Sequence, residues 1–195
     1  MKGNTMKKSG KAVFFLACFL FLTAGRAPAQ NVNEEGIKKP EILTVYYSYS
    51  GNTRTVAEAI HSYVGGDIFE IKAKGSYPAE YRAMVNQAKQ EIQSGYRPEL
   101  ISFVPDISKY EVIFIGSPNW WGTITPQLSS FLEKYDLSEK KVIPFVTHGG
   151  GGAQRTFTDL AVQCKGCKVV QNGWAGYGGE TSGLTEWLDT TGYDK

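Results

Sequence analysis

Five short, largely apolar runs alternate with stretches of helical periodicity, and this alternation restricts the fold more than any other feature of the chain. The runs cover residues 42–47, 67–72, 112–116, 142–147 and 168–170. Runs that are apolar on both faces are typical of parallel strands covered by helices on both sides. Strands and helices in strict alternation imply right-handed crossovers. The sequence therefore predicts an α/β fold with a doubly wound, five-stranded parallel sheet.

Apolar periodicity and capping residues mark the helices between these runs. They predict helices over residues 56–64, 78–94, 126–135, 154–162 and 184–188. Pro78 and Pro126 suit first helical positions, and Gly95 suits the end of the second helix. Pro144 is out of place in a central strand because it lacks a backbone donor. Pairing of the fourth strand is therefore expected to begin at Phe145 or to contain a bulge.

The first 29 residues have the layout of a signal peptide. Four lysines precede an apolar run over residues 12–22, which is well short of the roughly 20 residues that span a bilayer. Ala27-Pro28-Ala29 then predicts cleavage before Gln30. Cys18 lies inside the apolar run rather than at its end, which argues against lipid attachment there. The chain is predicted to be exported, with the periplasm as its destination.

Removal of this segment changes the charge of the chain. The whole chain carries +2, but residues 1–29 hold five basic and no acidic residues, so the remainder carries −3. That balance gives no reason to expect nucleic-acid binding, and no other apolar stretch is long enough to span a membrane. We expect a flexible leader over residues 30–40 and one domain over residues 41–195.

Ligands of doubly wound sheets bind beyond the carboxyl ends of the strands. Loop 1, residues 48–53, follows the first strand and reads SYSGNT. Its hydroxyls, the tight turn that Gly51 permits and the free amides of a helix start together suit a phosphate group. The lysine of a nucleoside-triphosphate loop is absent, which disfavours triphosphate hydrolysis. A plain capped helix start has the same composition, so both interpretations stay open.

Two further loops lie at the same predicted edge. Loop 2, residues 116–122, contains the adjacent Trp120 and Trp121, and we expect one indole to plug the edge of the core and the other to face a flat ligand. Loop 3, residues 147–152, contains four glycines that suit close backbone approach to a ligand. A mobile surface loop would also explain the glycines, and their spacing does not fit a dinucleotide fingerprint.

The three loops together resemble the flavodoxin family. SYSGNT is similar to the family's phosphate-binding loop, GSPNWWG to the flavin-flanking loop after the third strand, and THGGGG to the loop after the fourth. They occur in order and at the family's spacing across residues 41–195. The resemblance implies a flavodoxin-like sheet with strand order 2-1-3-4-5, and FMN as cofactor.

The resemblance also implies roles for individual residues. The residues expected to bind FMN are Ser48, Tyr49, Ser50, Asn52 and Thr53 at the phosphate, Pro118, Asn119, Trp120 and Trp121 beside the ring, and Gly149 and Gly150 at its polar edge. The protein would be an electron-transfer protein or a flavin-dependent oxidoreductase of the quinone or NAD(P)H reductase type. Its partner would be a redox protein or a small-molecule acceptor. A flavin-free binding or structural module is the alternative.

Two other features bear on redox chemistry. His148 in loop 3 is a candidate proton donor, although a lone loop histidine is more often only solvated. Cys164 and Cys167 follow a predicted helix, at the end of the helix dipole that destabilises a thiolate. We expect a static local disulfide or two inert thiols rather than a redox-active pair.

Overall fold

The computed structural model describes residues 39–194. The predicted signal peptide, including Cys18, and most of the predicted leader lie outside these residues. The elements are β1 (Ile42–Tyr46), α1 (Asn52–Val64), β2 (Asp67–Glu70), α2 (Tyr81–Ser94), β3 (Val112–Pro118), α3 (Pro126–Lys134), β4 (Lys141–His148), α4 (Thr156–Gln163), β5 (Lys168–Val169), β6 (Trp174–Tyr177) and α5 (Leu184–Asp189).

The strands form one parallel sheet in the order β2-β1-β3-β4-β5, and β6 also pairs with β4. This confirms the predicted doubly wound sheet and its strand order. The sixth strand was not predicted. Together β5 and β6 cover one edge of β4, so they act as a single fifth strand with an interruption between them.

Pro144 explains that interruption. β4 pairs with β3 continuously from Lys141, so the expected start at Phe145 was wrong. The carbonyls of Val142 and His148 accept hydrogen bonds from Val170 and Gly178, so the even-numbered residues of β4 face β5 and β6. Pro144 shares this parity, and its missing N–H faces the gap between β5 and β6, where no ladder bond is needed.

The second helix begins at Tyr81 rather than at Pro78 as predicted. The carboxylate of Glu80 caps it by accepting hydrogen bonds from the amides of Arg82 and Ala83, at 2.8 and 2.6 Å. A side-chain cap of this kind sets the helix start more strongly than a proline does. Thr125 caps α3 and a left-handed Gly95 ends α2, as predicted. α1 begins at Asn52, four residues before the predicted start, and α4 begins at Thr156, two residues after it.

Two apolar clusters cover the two faces of the sheet. On one face Ile113 and Ile115 pack with Leu128 and Phe131 of α3. On the other face Phe114 packs with Val56 and Ile60 of α1, together with α5. Successive β3 residues thus enter opposite cores, which is why this strand is apolar throughout. None of the helices within residues 39–194 is long and apolar enough to cross a membrane.

Candidate functional site

The three predicted loops meet at the carboxyl ends of β1, β3 and β4, because these strands are neighbours in the sheet. The hydroxyls of Thr53 in loop 1 and Thr147 in loop 3 lie 2.8 Å apart and are buried. The amide of Asn119 in loop 2 donates to the carbonyl of Thr147 at 2.8 Å. The sheet therefore joins all three loops into one continuous surface.

Loop 1 leads into an α1 N-terminus that lacks a side-chain cap. Gly51 is the N-cap residue, with φ at 92°, and the first turn contains no acidic residue. The hydroxyl of Ser48 accepts a hydrogen bond from the amide of Arg54 at 3.2 Å, but the preceding amides of the turn have no acceptor within the helix. These amides and the helix dipole make the turn a favourable position for an anion.

The other residues expected at the phosphate surround this turn. Ser50 is exposed, and the hydroxyl of Tyr49 donates to the carbonyl of Pro78 at 3.1 Å. Thr53 is buried, so its hydroxyl links loop 1 to loop 3 in this structure. Asn52 is exposed and lies against Gly179, which follows β6. The segment after β6 is a neighbour of loop 1 that the sequence analysis missed.

Loops 2 and 3 are joined by the amide side chain of Asn119, and the side chain of Gln154 lies against both loops. Asn119 donates to the carbonyl of Gly152 at 2.6 Å and accepts from the amide of Gly122 at 2.8 Å. The amide group of Gln154 lies so close to Gly122 and Gly151 that a methyl group on either glycine would sit 2.5 or 2.6 Å from it. Gln154 was not predicted to act here, and no sequence signal pointed to it. The two loops therefore form one braced unit.

Trp120 and Trp121 occupy different environments. Trp120 is half-buried, and its ring meets Tyr47, Tyr49 and Tyr77 edge-on at centroid distances of 5.9, 6.0 and 5.0 Å. Trp121 is 49% exposed and has φ at 54°, a strained value for a large residue. Neither indole belongs to the two core clusters, so the expected core plug is absent. Instead, Trp120 forms an aromatic wall with the three tyrosines.

Trp121 lies against α2. Its indole nitrogen donates to the carbonyl of Val85 at 3.1 Å, and the Lys89 ammonium lies 4.7 Å from the centre of the ring. Pro118, the remaining predicted residue of this loop, ends β3 and is half-buried. Loop 2 thus holds one indole beside loop 1 and the other on the surface of α2.

Loop 3 leaves open space above its backbone. A methyl group added to Gly149 or Gly150 would meet no atom within 4 Å. The amide of Gly150 donates to Nδ1 of His148 at 3.1 Å, which leaves the proton of the neutral imidazole on Nε2. Loop 3 therefore has room for a ligand beside its backbone.

A cavity of about 290 Å³ opens beside loop 1, between α2 and the segment after β2. The hydroxyl of Tyr77 donates to Glu91 at 2.5 Å and accepts from the amide of Gln127 at 2.8 Å. Burial raises the pKa of Tyr77, and the bond to Glu91 raises it further. Sequence reasoning missed this cavity because Tyr77, Glu91 and Gln127 are distant in the sequence and carry no local pattern that brings them together.

Cys164 and Cys167 form a disulfide between α4 and β5. This agrees with the first of the two expectations for the pair. The disulfide lies at the amino ends of the strands, across the sheet from loops 1 to 3. The two cysteines are therefore not brought into the candidate site.

Comparison with known proteins agrees with this architecture. The sequence model of the family described as Flavodoxin matches residues 41–191. A protein of Bacteroides eggerthii assigned as a flavoprotein is 27% identical, with a TM-score of 0.68 over 77% of this chain and 97% of its own. A flavoprotein of Lactobacillus acidophilus, crystallised in complex with FMN, is 25% identical, with a TM-score of 0.62 over 76% of this chain and 98% of its own. The match to the family covers well over half of the chain and includes all three loops, and so the chain belongs to the flavodoxin family.

Proposed function

We propose that this protein binds FMN at loops 1, 2 and 3 and uses it to transfer electrons. The observation that carries the proposal is the α1 N-terminus, where Gly51 contributes no capping side chain and Ser50 is exposed. Free amides, hydroxyls and a helix dipole with no acidic residue in its first turn suit the phosphate of FMN. The similar flavoprotein of Lactobacillus acidophilus contains FMN, which supports the same cofactor here.

Each loop has a role in this proposal. Ser48, Ser50 and Asn52, with the amide of Tyr49, hold the phosphate. Thr53 contributes its backbone amide, because its buried hydroxyl is bonded to Thr147. Pro118, Asn119, Trp120 and Trp121 flank the ring, and Gly149 and Gly150 contact its polar edge. The fit is supported by the free space above the two glycines and by the aromatic wall at Trp120.

When bound, FMN supplies reversible electron transfer, and the protein supplies binding, orientation and a shaped environment. Asn119 and Gln154 would hold the two ring-flanking loops in one arrangement, so little conformational freedom is lost when the ligand binds. His148, whose neutral imidazole carries its proton on Nε2, is the candidate proton donor at loop 3. A redox protein and a small-molecule acceptor are both suitable partners.

We also propose that this function is carried out outside the cytoplasm. The support is the order of four lysines, an apolar run and Ala27-Pro28-Ala29 at the N-terminus. A cofactor would then be acquired after export. Detection of the mature chain, beginning at Gln30, in the periplasmic fraction is the expected result. An uncleaved chain in the cytoplasmic fraction would contradict it.

FMN uptake by the purified protein tests the proposed function. Titration of flavin-free protein with FMN should give a saturable, one-to-one change in flavin absorption and fluorescence. Absence of binding would leave the flavin-free module as the better account. Steady-state oxidation of NADH or NADPH by the FMN-loaded protein, with and without a quinone, then separates a reductase from an electron carrier.

A further inference from the structure

The cavity beside loop 1 has the size and walls of a small-molecule site. Its volume of about 290 Å³ lies just below the roughly 300–1,000 Å³ typical of such sites, which suits a single ring. Tyrosine rings form much of the wall, namely Tyr47, Tyr49, Tyr77 and Tyr96. Three of these tyrosines also contact Trp120, so the cavity borders the aromatic wall of the candidate flavin site.

The polar side of the cavity has an acceptor without a donor. Gln127 donates from Nε2 to Tyr77, and Tyr77 donates to Glu91, which also accepts from Gln87 at 2.8 Å. Gln127 is only 4% exposed, and its Oε1 has no hydrogen-bond partner within residues 39–194. Buried polar atoms rarely remain unpaired unless they serve a further role.

Tyr47 adds a donor to the same wall. Burial raises the pKa of its hydroxyl, and the neighbouring Tyr49 raises it further, so the group stays protonated at neutral pH. Tyr47 and Gln127 therefore both line the cavity, Tyr47 with a protonated hydroxyl and Gln127 with a buried amide oxygen that has no partner in the described residues. The Glu91 carboxylate makes the cavity unfavourable for anionic rings.

We propose that this cavity binds a neutral, single-ring phenol. A hydroxyl group can donate to Oε1 of Gln127 and accept from Tyr47 at the same time, while the ring packs among the tyrosines. This binding needs no flavin. Phenols include hydroquinones, and the use of the cavity by such a compound as an electron-exchange substrate rests on the proposed function.

Phenol and toluene form a matched pair of probes, because they differ only in a hydroxyl replacing a methyl group. Ligand-observed NMR titration of the flavin-free protein should show phenol binding at least tenfold more tightly than toluene. Gln127→Leu and Tyr47→Phe should each reduce this preference at least fivefold. Tyr63→Phe, which removes a hydroxyl on α1 that bonds to Asp189, is the control and should leave phenol affinity unchanged.

Equal affinity for phenol and toluene, or no binding of phenol by the wild type, would overturn the inference. Unchanged phenol affinity in a folded Gln127→Leu and in Tyr47→Phe would also overturn it. Circular dichroism establishes folding, and if Gln127→Leu is unfolded, Tyr47→Phe decides alone. Phenol binding without FMN uptake would reject the proposed function and keep this inference, whereas FMN uptake without phenol binding would do the reverse.

Discussion

The carboxyl and amino ends of the sheet each carry a depression in the surface, and their walls differ in kind. At the amino end an open groove of about 690 Å³ runs between the C-terminal ends of α2, α3 and α4. Its rim mixes basic and acidic side chains, including Arg97, Glu133 and Lys165. At the carboxyl end the cavity is smaller, but its neighbours are a helix N-terminus without a side-chain cap, bare glycine backbone and an aromatic wall.

Several backbone groups at the amino end are already paired. The ammonium of Lys140 donates to the carbonyls of Ser108 and Tyr110, and the amide of Glu139 donates to the carbonyl of Gly166. The carboxyl end instead retains a helix N-terminus without an N-cap side chain and a buried amide oxygen, Oε1 of Gln127, without a partner in the described residues. These groups, rather than cavity volume, distinguish the two ends of this sheet.

A charge placed in loop 1 should have the largest effect on FMN binding at the carboxyl end of the sheet. Ser50→Asp introduces a carboxylate beside the α1 N-terminus, where it repels a phosphate group. Two charges about 4 Å apart near a surface interact by up to about 4 kcal/mol, so we expect FMN affinity to fall about a hundredfold. Fluorescence titration measures this. Ser50→Asn has nearly the same shape without the charge, and a similar loss in that variant would contradict the electrostatic explanation.

A methyl group at Gly122 should disturb the brace between loops 2 and 3. Gly122 has φ at 85°, and a Cβ there would lie 2.5 Å from Oε1 of Gln154. A left-handed conformation costs a residue other than glycine about 1–2 kcal/mol of stability, a cost that Gly122→Ala and Gly75→Ala share, and displacement of the Gln154 side chain should in addition lower FMN affinity in Gly122→Ala. Gly75→Ala is the control, because Gly75 also has positive φ but has no atom within 4 Å of an added Cβ. Equal losses of affinity would show that the brace has no role.

Replacing the two indoles one at a time distinguishes the role of Trp120 in the aromatic wall from that of the exposed Trp121. Trp120→Ala should weaken FMN binding by about 0.5–1.5 kcal/mol, the usual contribution of an aromatic contact beyond its buried area. Trp121→Ala should lower the free energy of unfolding less than Trp120→Ala does, because the ring of Trp121 is 49% exposed. Isothermal titration calorimetry and thermal unfolding measure the two effects. Unchanged FMN affinity in both variants would exclude ring stacking by either tryptophan.

Loss of the disulfide should change stability but not binding. The loop closed by Cys164 and Cys167 is very short, so the double variant Cys164→Ser, Cys167→Ser should lose at most about 2 kcal/mol of unfolding free energy. FMN affinity and the reduction of bound flavin by dithionite should remain unchanged. A loss of flavin reduction in the folded variant would show that the disulfide takes part in electron transfer and would contradict this prediction.

The smallest effect is expected at acid pH, from Asp67 at the start of β2. The bond from Lys109, at 2.8 Å, holds the pKa of this carboxyl below its usual value, and the bond from Tyr110 contributes. The stabilisation is therefore complete above the pKa of the unfolded chain and is lost as pH falls through the lower folded value. Asp67→Asn should reduce stability near neutral pH by at most about 1 kcal/mol, because the pair is exposed. Urea unfolding at pH 7 and pH 3 checks this, and an equal difference between the two proteins at both pH values would contradict it.

The apolar pattern of each strand was sufficient to predict the parallel sheet, and the resemblance of the three loops to the flavodoxin family implied its strand order. The sequence was insufficient at β6, where Trp174, Ala175 and Gly176 have no such pattern but pair with β4 beyond Pro144. The three loops could be located because glycine, hydroxyl and indole residues are concentrated there. Contacts such as Gln154 with Gly122, or Gln127 with Tyr77, join distant segments, and no local signal reveals them.

The central claim is that the α1 N-terminus and loop 1 bind the phosphate of FMN. Riboflavin has the same ring system without that phosphate, so a side-by-side titration of the wild type and Ser50→Asp with FMN and riboflavin isolates this contribution. We predict that the wild type binds FMN at least a hundredfold more tightly than riboflavin, and that Ser50→Asp abolishes most of this difference while leaving riboflavin affinity unchanged. Equal affinity of the wild type for the two flavins would contradict the claim.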